Sequence, residues 1–73
     1  MSEAVAIGDG RRLAGYTLAG AEVLAAATAA EIDAAWERVG DDVRLLVLTR
    51  EAYDLLAERL LERDRVVWAV LPT

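Results

Sequence analysis

The chain has 73 residues, 56% of them hydrophobic and 29% charged, with a net charge of −5, which makes it one domain near the lower size limit for independent folding. It contains no cysteine and no histidine, and all eight basic residues are arginine; this removes disulfides, a thiolate nucleophile, the commonest general base and metal ligand, and the lysines of P-loops and Schiff bases. The acidic balance argues against nucleic acid or an anionic membrane as the main partner.

Ala4–Gly8 is a short apolar run ending in glycine and reads as a buried strand. Arg11–Leu18 has weak helical character with Gly15 inside it, and Gly20 is placed to stop that helix in a left-handed conformation. Glu22–Ala26 reads as a second strand. Thr28-Ala-Ala-Glu31 is a capping-box pattern, and the helix behind it puts Ile32, Ala35, Trp36 and Val39 on one face, with Gly40 closing it. Val43–Leu48 is a third strand. Glu51–Arg63 is the clearest helix, capped by Thr49, with Ala52, Tyr53, Leu56 and Leu60 on its apolar stripe and Glu51, Asp54, Glu58 and Glu62 opposite. Val66–Leu71 is the fourth strand, ended by Pro72.

Apolar strands alternating with amphipathic helices predict an α/β fold: a four-stranded parallel sheet, βαβαβαβ, strand order 2-1-3-4, flavodoxin-like, spanning residues 1–73 as a single domain. Right-handed crossovers put the first helix on one face and the other two on the opposite face. The third and fourth strands are then left bare on the first helix's side, and exposed apolar sheet marks a docking surface. The same argument predicts self-association through that face. No apolar run is long enough to span a bilayer, and Met1-Ser2-Glu3 begins nothing like a signal peptide, so the expected location is cytoplasmic.

The stretch "AIGDGRRLAGYTLAG", Ala6 to Gly20, carries the choice between chemistry and docking. A dinucleotide fingerprint needs a small residue at its sixth position, and counting from Gly8 and Gly10 that position is Leu13. The competing function is a stand-alone ligand module that binds a nucleotide or phosphate at the Gly8–Arg12 turn, since a helix N-terminus attracts anions. The structural alternative makes Gly8, Asp9 and Gly20 a corner, with Asp9 capping the first helix. A receiver-type magnesium site at Asp9 would need an acceptor aspartate after the third strand, where Leu48-Thr49 stands. Arg11 and Arg12 are either solvated and paired with nearby carboxylates or anchors for an acidic groove on a partner. Gly15 costs about 1 kcal/mol relative to alanine inside a helix, which suggests close backbone approach by the sheet or another chain. Trp36 sits in an apolar stripe and reads as core; Trp68 divides evenly between core and interface. The four acids of the third helix read as solvated surface. No catalytic, cofactor or metal site is expected.

"GDGRRLAGYTLAG" resembles the N-terminal signature of the F subunit of V-type (archaeal/vacuolar-type) rotary ATPases: Gly-Asp, a short spacer, then Gly-aromatic-x-Leu-x-Gly, matched by Gly8, Asp9, Gly15, Tyr16, Leu18 and Gly20. "VRLLVLTREAYDLL" and "VVWAVLP" are similar to that family's third strand and helix and its fourth strand. The resemblance implies a non-catalytic component of the central stalk that docks on the D subunit, the coiled-coil shaft, turns inside the catalytic head and contributes to regulation of ATP hydrolysis and ion transport, peripheral to the membrane. The family's C-terminal helical tail has no counterpart up to Thr73. On this reading the docking residues are Arg11, Arg12, Gly15, Tyr16 and Trp68.

Overall fold

Each apolar run becomes a strand and each amphipathic run a helix in the computed structural model, which describes residues 3–18 and 20–72, residues 16–18 as backbone alone. The elements are β1 (Ala4–Gly8), α1 (Gly10–Leu18), β2 (Glu22–Ala25), α2 (Ala29–Glu37), β3 (Leu45–Leu48), α3 (Arg50–Leu60) and β4 (Val67–Val70). The strands form one parallel sheet in the order β2-β1-β3-β4, the flavodoxin-like arrangement that the alternation predicts. No helix among the described residues is long and apolar enough to cross a membrane.

Helix starts follow their capping residues. The Thr28 hydroxyl accepts the Glu31 amide at 3.2 Å, and the Glu31 carboxylate accepts the Ala27 and Thr28 amides at 2.8 and 3.2 Å. These two backbone donors, with a smaller contribution from the Thr28 side chain, stabilise the ionised form, so the Glu31 carboxyl titrates below its ordinary value. Thr49 caps α3 by accepting the Ala52 amide at 3.4 Å. Asp9 caps α1, its carboxylate accepting the Arg11 amide at 3.0 Å. Gly20 has a φ of +92°, the left-handed conformation expected beyond α1.

β2 and β4 each lose terminal residues of their expected runs, ending at Ala25 and spanning only Val67–Val70, and β3 and α3 shorten for identifiable reasons. β3 begins at Leu45 rather than Val43, because Val43 donates back to Gly40 in a turn and the Arg44 and Leu45 amides share the Glu3 carbonyl. α3 ends at Leu60 rather than Arg63. Arg63 instead turns to the end of α2, donating to the carbonyls of Val39 and Gly40 at 3.0 and 3.1 Å, with its guanidinium 4.7 Å from the centre of the Trp36 ring.

The core is lopsided. On one side α2 and α3 seal Val5, Ile7, Leu24, Leu46 and Leu48 beneath Ile32, Trp36, Leu56 and Leu60. On the other side the buried cluster is Ala6, Leu13 and Val47, flanked by Val23 and Leu71. Leu13, fully buried, anchors α1 among the described side chains; burying a leucine contributes about 2 kcal/mol. α1 packs mainly on β2 and β1.

Candidate functional site

Two places meet the sequence expectations: the turn at the carboxyl ends of β1 and β3, and the α1 side of β3 and β4. The turn lies where the sheet order reverses, the usual ligand position in open α/β sheets. Here it is packed by its own chain. Gly8 has a φ of +149°, and a Cβ built on it would overlap Thr49 Cγ2 and Oγ1 and lie 2.8 Å from Thr49 Cβ. Thr49 is itself buried. The glycine is therefore required so that the β1 and β3 ends can close on each other.

The remaining space is a cavity of about 170 Å³ lined by Asp9, Arg12, Ala26, Ala27, Thr49 and Glu51, below the 300–1,000 Å³ typical of small-molecule sites. Its one cation is engaged. Arg12 donates to the Pro72 carbonyl at 3.3 Å and lies 3.9 Å from the Glu51 carboxylate. Both side chains are well exposed, so the ion pair contributes less than about 1 kcal/mol, but it ties α1 to the ends of β4 and α3. Arg11 is exposed and has no ion-pair partner among the described residues. Of the α3 acids, Glu51 pairs with Arg12 and Asp54 with Arg50 at 3.3 Å.

No described atom lies within 4 Å of a Cβ added at Gly15, so the sheet beneath is not what calls for glycine there. The Tyr16 side chain lies outside the described residues. Trp36 is core, as its stripe predicts.

Trp68, which the sequence divides evenly between core and interface, lies on the core side of the sheet and not on the bare face. It packs half-buried against the large α2–α3 core, while its neighbours Val67 and Ala69 point to the α1 side. Register defines that side: Ala4, Leu45 and Val67 form one row, and Ala6, Val47 and Ala69 the next. α1 shields the second row at Val47, but Leu45 is 38% and Val67 68% exposed, and Ala69 is exposed. The bare sheet surface therefore exists as topology predicts and is built from Leu45, Val67 and Ala69. Sequence reasoning missed these residues because Val66–Leu71 is apolar at every position, so hydropathy cannot say which alternate set faces which side.

Among the described residues no three His, Cys, Asp or Glu side chains converge as metal ligands. Comparisons with protein-family models, with curated proteins and with solved structures found no match.

Proposed function

We propose that this chain is a non-catalytic docking protein of the kind its resemblance to the V-type F subunit implies: a central-stalk component that sits on the coiled-coil shaft of a V-type rotary ATPase, peripheral to the membrane, and contributes to coupling and regulation. The observation that carries the proposal is the apolar surface of Leu45, Val67 and Ala69 beside α1. A parallel sheet is normally covered on both faces, and a shaft helix laid beside α1 supplies the missing cover. Arg11 and Gly15, four residues apart on α1, supply on this reading a polar anchor and a close backbone approach.

The test is co-expression of the tagged full chain with the two-helix shaft protein of a V-type complex. A stable complex that Leu45→Gln weakens at least tenfold is expected. Failure to form a complex, or a complex indifferent to Leu45→Gln, overturns the proposal. Calorimetric titration with ATP, ADP and FMN addresses the ligand-module alternative. Micromolar binding that disappears in Asp9→Ala would establish that function at the Gly8–Arg12 turn and overturn this one.

A further inference from the structure

The bare face is not the only unfinished part of the sheet. β4 is an edge strand, and from Val66 to Leu71 it carries no charge, no proline and no glycine. Long apolar edges are normally blunted by such residues because their open backbone groups template pairing with another chain. The other edge, β2, carries a charged residue, Glu22.

The backbone fixes which groups of β4 are open. The Val67 amide donates to Arg44 O and the Leu71 amide to Leu48 O, so by strand alternation the amides and carbonyls of Val66, Trp68 and Val70 point away from the sheet. We infer that a second copy of this chain pairs with that edge, β4 antiparallel to β4 about a two-fold axis at Trp68, giving one continuous eight-stranded sheet.

The register follows from the open groups. Centring on Trp68 makes hydrogen-bonded pairs of Val66 with Val70 of the second copy, Trp68 with Trp68, and Val70 with Val66, each exchanging two bonds. Centring on Ala69 would instead oppose Val66 with Pro72, which has no amide to give. The two Trp68 rings then meet as a cross-strand aromatic pair.

A second copy is complementary to this edge in charge as well as in register. The chain carries −5 overall, and two copies meeting across the α3 acids or the β2 edge would set carboxylates against carboxylates. Across β4 the strand itself is uncharged. The ends that meet are Asp64 and Arg65 of one copy and the Arg12–Glu51 pair at Pro72 of the other, one charge of each sign on both sides. The four residues of β4 span about 14 Å at ~3.4 Å per residue, a contact below the roughly 1,200 Å² of standard interfaces, so the dimer is weak.

The pairing uses the strand edge, whereas the proposed shaft contact uses the sheet face, so each can fail alone. The test is sedimentation velocity of the full chain from about 20 µM to about 1 mM, a range chosen for a weak contact below standard interface size. The unmodified chain should shift from monomer to dimer. Val70→Pro removes an outward amide at a position where an edge strand tolerates proline and should weaken the dimer at least tenfold, whereas Leu45→Gln should leave it within twofold. Amide exchange of the unmodified chain guards against misfolding of the proline variant: the Trp68 and Val70 amides should slow at high concentration, and the Val67 and Leu71 amides should be slow throughout. A monomer at every concentration, dimerisation lost in Leu45→Gln but kept in Val70→Pro, or concentration-independent exchange at Trp68 and Val70 overturns the inference.

Discussion

Gly8→Ala is the most direct probe of the closed turn. The added methyl would overlap two atoms of Thr49 and approach a third to 2.8 Å, and Thr49 cannot swing away cheaply. It is buried, and its hydroxyl is the α3 cap. Overpacking of this kind costs about 1–3 kcal/mol. The φ of +149° adds backbone strain of about 1–3 kcal/mol for any residue other than glycine. If Thr49 rotates to relieve the clash, the cap is lost at about 1 kcal/mol. Clash and strain together cost about 2–6 kcal/mol, a large share of the stability of a chain this size, about 4–11 kcal/mol at 0.05–0.15 kcal/mol per residue.

Equilibrium urea unfolding followed by tryptophan fluorescence measures the loss, with a double-mutant cycle separating its parts. Thr49→Ala removes the overlapping Oγ1 and Cγ2 but neither Cβ nor the φ constraint. Gly8→Ala should therefore cost about 1–2 kcal/mol less in the Thr49→Ala background, by relief of overpacking alone. A Gly8→Ala cost below about 1 kcal/mol, or an identical cost in both backgrounds, would refute the close approach of the two strand ends.

The capping box gives a pH prediction. Glu31 titrates below its ordinary 4.5 when folded, so its contribution is fully present above that pH and fades as pH falls through the lower folded value; acid unfolding of Glu31→Gln should lack this component, and an unchanged acid limb would contradict it. At the other end of α2, Arg63→Lys cannot hold both carbonyls while lying over Trp36 and should lose about 1–3 kcal/mol, as for hydrogen bonds to a charged group, with a change in Trp36 emission. Stability within a few tenths of the parent would show that the guanidinium fork is dispensable.

The sequence carries the fold because its local signals agree. Thr28 and Thr49 sit where caps are needed, Gly20 where a left-handed residue is needed, and the apolar runs have strand length. What it does not carry is contact across distance. Nothing near Gly8 announces Thr49, forty-one residues on, as the side chain that excludes a Cβ. Arg63 continues the α3 pattern of alternating polarity, and only the packed structure diverts it to Trp36. The orientation of Trp68 is hidden for another reason: in a strand apolar on both sides, shifting by one residue leaves the hydropathy pattern intact.

The same ambiguity has a functional side. A strand meant to face a helix on one side and water on the other would alternate, with polar residues outward. β3 and β4 do not alternate: Leu45, Val67 and Ala69 are as apolar as Leu46, Trp68 and Val70, although no described helix covers them on the α1 side. Each large side chain left there forgoes up to the ~1.5–3 kcal/mol that burial would supply. The composition of these strands fits a sheet whose face is covered rather than left to water. The two proposals place a covering chain on the face and on the edge, and they are compatible because the face presents side chains and the edge presents backbone. Leu45→Gln and Val70→Pro divide the two: the first removes apolar surface from the face without touching the edge, and the second removes an edge amide while leaving Leu45, Val67 and Ala69 in place.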